Sequence, residues 1–90
     1  MTAIIWKFNC PITDTVHIEM PARSEVLSVQ DQCGAICMWV KVYEPNAHKV
    51  VRTFKWFGTG HTIPVEGEYV TTVQTNGGAL VFHLFDFSYT

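Results

Sequence analysis

The sequence predicts an all-β domain of about seven short antiparallel strands, arranged as a sandwich or a small barrel. Apolar and polar residues alternate with a period of two through most of the chain, and no long stretch shows a helical period. The apolar runs are also rich in β-branched and aromatic residues, which favour strands. Turn-forming residues separate these runs at near-regular intervals, as in antiparallel β proteins.

Length and composition are those of one folded domain over residues 1–90. The chain is 48% hydrophobic and 16% charged, which excludes a disordered chain. Its net charge of −2 excludes electrostatic capture of long nucleic acid or of an anionic membrane. No apolar run reaches the roughly 18 residues that cross a bilayer, and no signal peptide is evident. We therefore expect a cytoplasmic protein without a membrane partner.

Four strands are predicted in the first half of the chain. They are expected at Ala3–Phe8, Thr15–Met20, Glu25–Gln30 and Ile36–Tyr43. Asn9-Cys10-Pro11 ends the first strand and Pro21 ends the second, because proline cannot donate to a strand ladder. A short helix over 22–27, with Ser24 as its cap, remains an alternative to the start of the third strand.

The second half of the chain predicts three further strands. The turn residues Glu44-Pro45-Asn46 make His48–Phe57 the expected hairpin partner of Ile36–Tyr43. Gly58–Gly67 is a predicted loop, followed by a strand over Glu68–Thr75. Asn76-Gly77-Gly78 is a tight turn that leads into a final strand over Ala79–Ser88.

The final strand is apolar on both faces. Leu80, Phe82 and Leu84 share one face; Val81, Phe85 and Phe87 share the other with His83. A half-exposed strand alternates with polar residues, so this strand is either enclosed in the core or covered by a second copy. The expected partner is the chain itself, in a homo-oligomer formed through Leu80–Phe87, with an enclosed central strand as the alternative.

Metal binding and catalysis are not indicated. The cysteines Cys10, Cys33 and Cys37 are odd in number, which is typical of free thiols. The four histidines fall on separate predicted elements without the spacing of metal ligands. Catalysis needs an activated nucleophile, or a carboxylate pair near a base, and no such arrangement is singled out. We expect no cofactor and no enzyme activity.

The bend Gly58-Thr59-Gly60-His61 is the candidate ligand site. Its glycines let backbone N–H groups approach a ligand, and threonine and histidine add further donors. Arg52 lies upstream on one strand face with Val50, Phe54 and Trp56. A cation beside aromatic rings suits a base and a phosphate together.

The predicted ligand-binding set is Trp39, Arg52, Trp56, Gly58, Thr59, Gly60 and His61. Lysines near Arg52, together with Lys41 in the expected hairpin partner, would add a basic patch. The alternatives are a glycine bend that only joins two strands, and a solvated face whose lysines prevent aggregation.

Several short motifs follow one another along the chain. They are Ile5-Trp6-Lys7-Phe8, His17-x-x-Met20-Pro21, Val26-Leu27-Ser28-Val29-Gln30, Met38-Trp39, Gly58-Thr59-Gly60-His61 and Gly78-Ala79-Leu80-Val81-Phe82-His83. This set resembles a family of small bacteriophage and prophage proteins of unknown function. The resemblance implies a phage origin and a location in the host bacterial cytoplasm. Residues 87–90 extend beyond the usual ending of that family.

Small phage proteins of this kind often counter host defence, which motivates the first of two functional hypotheses, and the two-faced strand Leu80–Phe87 motivates the second. In the first, an oligomer sequesters a cyclic nucleotide signal of anti-phage immunity without changing it. Arg52 would bind phosphate, Trp56 or Trp39 would stack on a base, and His61 would donate a hydrogen bond. In the second, the protein is a binding module that inhibits a host protein or serves as a phage accessory protein.

Overall fold

Two antiparallel sheets pack face to face in the computed structural model, which describes residues 1–88. The strands are β1 (Ile4–Asn9), β2 (Thr15–Pro21), β3 (Ser24–Gln32), β4 (Ala35–Val42), β5 (Lys49–Gly58), β6 (Glu68–Thr75) and β7 (Leu80–Asp86). A single 3-10 turn, Asn76–Gly78, joins β6 to β7. The predicted all-β class is confirmed, and within the described residues the arrangement is a sandwich and not a closed barrel.

One sheet has the strand order β1-β4-β3 and the other has the order β2-β5-β7-β6. The apolar residues that alternate along the strands lie on the inner faces of the two sheets and form the core between them. The core consists of Cys10, Val16, Ile18, Met20, Val29, Met38, Val40, Val42, Phe54, Trp56, Val73 and Leu84. Among the described residues, no helix is long and apolar enough to cross a membrane.

A β-bulge interrupts β3. Val26 lies opposite Val40, but the next pair joins Ser28 to Trp39, so Leu27 is an extra residue. The extra residue lets Val26 and Val29, three positions apart, both face the core. It leaves Leu27 on the opposite side of the sheet, 48% exposed.

The alternative helix over 22–27 is not formed. Residues 22–23 make a two-residue turn, in which Arg23 has a φ of +63°, and β3 begins at Ser24. The Ser24 hydroxyl donates to the carbonyl of Pro21 at 2.6 Å and does not cap a helix. Pairing of β3 with β4 and burial of Val26 stabilise the strand, whereas a short helical turn without such contacts would be unstable.

The predicted hairpin between β4 and β5 is wrong. β4 pairs with β1 and β3, whereas β5 pairs with β2 and β7 in the other sheet. The turn at Glu44-Pro45-Asn46 therefore carries the chain from one sheet to the other. This arrangement packs the apolar faces of the two strands across the core, where a hairpin would set them side by side.

The final strand, β7, is enclosed by its own chain. It lies between β5 and β6, so both of its edges are paired. Both β5 and β6 are antiparallel to β7, so they run parallel to each other on its two sides. The connection over 59–67, which joins the end of β5 to the start of β6, therefore has to cross β7. A Cβ at Gly67 would lie 2.5 Å from Cζ of Phe87, which places this connection against the outer face. The apolar character of both faces therefore has a cause within one chain, and an oligomer through Leu80–Phe87 stays a prediction.

Candidate functional site

Arg52 points into the space between the sheets. Its Nη2 donates to Oδ2 of Asp86 at 2.6 Å, and its Nε donates to Oγ of Ser88 at 3.1 Å. Its Nη1 donates to the carbonyl of Ser24, on the opposite sheet, at 3.2 Å. The side chains of Arg52 and Asp86 are only 12% and 8% exposed. Contrary to expectation, the guanidinium holds the two sheets together and does not face the Gly58–His61 bend.

The Asp86 carboxyl is ionised in this setting. Burial acts to raise its pKa, but hydrogen bonds from Ser88 and Arg52 and the charge of the guanidinium outweigh that effect and lower the pKa. The second carboxylate oxygen accepts a hydrogen bond from the backbone N–H of Ser88 at 2.8 Å. The Asp86 carboxylate is therefore one partner of a structural ion pair, and both of its oxygens accept hydrogen bonds.

Trp56 is a core residue. It is 6% exposed, so its ring offers no free face on which a base could stack. Its Nε1 is buried without a hydrogen-bond partner, and it lies close to the thiol of Cys10. Burial raises the pKa of Cys10 to about 11, an effect that Trp56 opposes and Cys37 reinforces. This thiol is therefore protonated and inert near neutral pH.

The imidazole ring of His61 folds back over the Gly58–His61 bend and closes it. The backbone N–H of His61 donates to the carbonyl of Gly58 at 3.2 Å, and the backbone N–H of Gly58 donates to the ring Nδ1 of His61 at 3.3 Å. A Cβ at Gly58 would lie 3.0 Å from Cε1 of His61, so the ring packs directly over the glycine. Gly60, with a φ of +90°, is exposed at the tip of the bend.

Thr59 takes part in a hydrogen-bond network across the outer face of the four-stranded sheet. Its Oγ1 is 2.8 Å from Nε2 of His83, and Nδ1 of the same ring is 2.9 Å from Oγ1 of Thr72. The Tyr69 hydroxyl is 2.9 Å from Oγ1 of Thr72. Both ring nitrogens of His83 are therefore satisfied, and the network fixes the crossing connection to β6 and β7.

Trp39 lies on the outer face of the three-stranded sheet, away from the bend. It is half-buried, and it borders a groove of about 370 Å³. The groove, which we call the Trp39 groove, is lined by Ile5, Leu27, Ser28, Gln30 and Trp39. Ile5 is 60% exposed and Leu27 is 48% exposed, so the groove is apolar and open.

Lysines adjoin the Trp39 groove. Lys7 lies directly opposite Trp39 on β1, and Lys41 lies opposite Ile5 on β4. Glu25, opposite Lys41 on β3, is the nearby acid and accepts a hydrogen bond from Tyr43 at 3.2 Å. This face therefore carries more positive than negative charge, although the whole chain has a net charge of −2.

The seven predicted ligand residues do not meet in one place. Gly58, Thr59, Gly60 and His61 share one bend. Arg52 and Trp56 are interior residues, and Trp39 belongs to the other sheet. Lys41 is likewise separated from the lysines of β5, so the expected basic patch is not assembled. Ligand binding by these residues stays a prediction.

Sequence reasoning missed Ile5 and Leu27. The signal for Leu27 was present, because Val26, Leu27 and Val29 break the strict alternation of a strand in the way that a bulge does. The adjacent apolar residues Ile4 and Ile5 likewise mark a strand with apolar side chains on both faces.

Comparison with known proteins places the whole described chain in one family. The model of the family described as "Domain of unknown function (DUF7352)" matches residues 1–89. The chain belongs to this family. The DUF7352 match extends through residue 89, so it includes three of the four residues that were expected to lie beyond the usual ending of the phage family. No curated protein and no solved structure matches the chain.

The DUF7352 domain has no assigned activity, and its description names no ligand or partner. Its function therefore has to be argued from the geometry. Within the described residues, no group of three or more histidine, cysteine or acidic side chains could hold a metal ion. The cysteines are free thiols, buried at Cys10 and Cys37 and exposed at Cys33.

Proposed function

We propose that the chain is a binding protein without catalytic activity of its own, and that the Trp39 groove holds a segment of a protein partner. The observation that carries this proposal is the half-buried Trp39 between two exposed aliphatic side chains, Ile5 and Leu27. Tryptophan is one of the residue types enriched among those that dominate interface energies, and such residues become buried in desolvated pockets on binding.

The charges beside the groove define the partner more closely. Lys7 and Lys41 adjoin its apolar floor. A segment that presents an apolar side chain with neighbouring aspartate or glutamate residues would fill the groove and pair with these lysines. Electrostatic complementarity of this kind selects the partner and speeds association.

A selection from a display library of random peptides, with the immobilised chain as bait, tests this proposal. We expect the selected peptides to share an apolar residue flanked by acidic residues. Trp39→Ala should weaken their binding at least about tenfold, as loss of a dominant interface residue does. Tyr69→Ala is the matched control, because Tyr69 is an exposed aromatic residue on the other sheet. Peptides that bind Trp39→Ala as tightly as the natural chain would overturn the proposal.

Sequestration of a cyclic nucleotide is the second candidate, and one cleft favours it. The cleft, of about 550 Å³, is lined by Met1, Thr2, Ala3, Arg23, Lys41, Tyr43 and Glu44. The Lys41 ammonium lies 5.0 Å from the centre of the Tyr43 ring, which joins a cation to an aromatic surface. Arg23 pairs with Glu44 at 3.5 Å and is exposed.

Calorimetry with cyclic dinucleotides, cyclic trinucleotides and ADP-ribose derivatives tests the second candidate. Binding that Tyr43→Ala abolishes and Trp39→Ala preserves would favour it over the protein-binding proposal. Absence of binding at about micromolar concentrations, which corresponds to about −8.2 kcal/mol, would exclude it. The phage origin and the host cytoplasm belong to the same proposal and rest on the resemblance of the motifs.

A further inference from the structure

The sandwich has four edge strands, and three of them carry features that discourage pairing with another chain. A bulge at Leu27 interrupts β3, and a bulge between Tyr69 and Thr71 interrupts β6. The remaining edge of the four-stranded sheet, β2, ends in Pro21. Bulges and prolines are the devices by which natural proteins protect sheet edges.

The fourth edge, β1, has neither device. It pairs with β4 in an unbroken register from Ile4 to Asn9, and no other strand pairs with it among the described residues. Its one charged residue is Lys7. A lysine also protects an edge, but the rest of β1 is apolar and regular, so it is a template for a further strand in a register that keeps other positive charges away from Lys7.

The register shows which backbone groups of β1 are available. The N–H of Cys10 donates to the carbonyl of Ile36 at 2.9 Å, so Cys10 faces β4. In an antiparallel ladder, alternate residues point both of their backbone groups to the same side. The backbone groups of Ile5, Lys7 and Asn9 therefore point outward, and those of the intervening residues point to β4.

The side chains of β1 lack cover on both faces of the sheet. Ile4 and Ile5 lie on opposite faces and are 48% and 60% exposed. Trp6 and Phe8 pack on the core but are only partly buried. A strand added beyond β1 would cover side chains on both faces together.

We propose that β1 pairs antiparallel with β1 of a second copy of the chain, about a two-fold axis at Trp6. In this register Trp6 meets the partner's Trp6, and Ile4 meets the partner's Phe8. Ile5 lies opposite the partner's Lys7, and both residues have outward-pointing backbone groups. Each of the two Ile5–Lys7 pairs then exchanges two hydrogen bonds, as a regular antiparallel ladder requires.

Charge and the length of the paired segment select this register and favour a second copy as the occupant. With the axis at Lys7, that residue would lie opposite the partner's Lys7, and like charges directly opposite destabilise a sheet. With the axis at Ile5, only residues 4–6 of the two strands would pair, whereas the axis at Trp6 pairs residues 4–8. The register at Trp6 separates the lysines and sets each beside an aliphatic side chain. The strand is thus complementary to itself.

The dimer would present two Trp39 grooves on one side of a continuous six-stranded sheet. A two-fold axis perpendicular to the sheet keeps both outer faces on the same side. This consequence rests on the proposed function, but the dimer does not. It would let the protein engage a two-fold symmetric partner at two points, which increases the overall affinity.

Native mass spectrometry and light scattering of the intact chain test the dimer. We expect a species of twice the 10.2 kDa chain mass. Ile5→Lys places a lysine opposite the partner's Lys7 and should raise the dimer dissociation constant at least about tenfold, or about 1.4 kcal/mol. Combining Ile5→Lys with Lys7→Glu turns that repulsion into attraction and should restore the dimer.

Two control variants separate this proposal from others. Val51→Lys alters a residue of similar exposure, 59%, on the other sheet, and it should leave the dimer unchanged. Trp39→Ala should remove groove binding and keep the dimer, so failure of one proposal is distinguishable from failure of the other. A monomer at every concentration, or a dimer that survives Ile5→Lys, would overturn the inference. Failure of the folded double variant to dimerise would overturn it as well.

Discussion

Arg52 and Asp86 form an ion pair at 2.6 Å between the two sheets, on the inner faces of β5 and β7. A buried charge is tolerated only where its partner and its remaining hydrogen bonds are supplied. Ser88 and the carbonyl of Ser24 supply them for the guanidinium. The ion pair joins β5 to β7 within one sheet, and the hydrogen bond from Arg52 to the Ser24 carbonyl links it to the other sheet.

Substitution of Arg52 should therefore affect folding. Arg52→Met leaves Asp86 buried without its partner, and we expect the free energy of unfolding in urea to fall by about 3–5 kcal/mol. Glu19→Gln, at an exposed position of the neighbouring strand β2, should change it by less than about 0.5 kcal/mol. Equal stability of the two variants would show that the contacts of Arg52 do not stabilise the fold.

The stability should also depend on pH through Asp86. The pKa of this carboxyl is lowered from its ordinary value of 3.8 in the folded chain. Its stabilisation is therefore present above the unfolded pKa and is lost as the pH falls through the folded pKa. We expect urea midpoints of the natural chain to decrease below pH 3.8 more steeply than those of Asp86→Asn. Parallel acid profiles would contradict this assignment.

The thiols should differ in reactivity. Cys33 is exposed in the turn between β3 and β4, whereas Cys10 and Cys37 are buried. Because the pKa of Cys10 is raised to about 11, it also lacks thiolate near neutral pH. Iodoacetamide should add one label to the native chain, none to Cys33→Ser, and three to the denatured natural chain, as counted by mass spectrometry. Rapid labelling of native Cys33→Ser would be incompatible with the burial of the other thiols.

Close packing at Gly67 should make this position intolerant of a side chain. A Cβ there would lie 2.5 Å from Cζ and 2.9 Å from Cε2 of Phe87, whose ring is buried. We expect Gly67→Ala to lower the free energy of unfolding by about 1–3 kcal/mol, as overpacking does. Adding Phe87→Leu should recover part of that loss. If Gly67→Ala is as stable as the natural chain, the connection over 59–67 does not cross β7 as described.

Local patterns in the sequence predicted the strands well, but not which sheet each strand joins. The strand over Glu68–Thr75 has the predicted bounds, because period-two alternation and flanking turn residues are local signals. The error at β4 and β5 arose because a turn motif allows a hairpin but does not require one. Sheet membership depends on contacts between residues far apart in sequence, and no local pattern contains that information.

The candidate site was predicted less well, for a related reason. The face shared by Arg52, Phe54 and Trp56 was correctly assigned, but it is the inner face. A cation in an apolar row requires a buried acid, and Asp86 supplies it from β7, opposite Phe54 and diagonal to Arg52. Trp39 is the predicted residue that the structure leaves on an open apolar surface. Its neighbour Leu27 was missed, although the broken alternation at Val26, Leu27 and Val29 indicated the bulge that exposes it.

Binding of a partner segment at the open face around Trp39 can be observed directly. The chain has three tryptophans, so a proton–nitrogen correlation spectrum of the labelled protein contains three indole N–H signals. On titration with a selected acidic, apolar peptide, we predict that the Trp39 signal shifts most and that the signal of buried Trp56 stays in place. A bound peptide that leaves the Trp39 signal unchanged would show that the Trp39 groove is not the binding site.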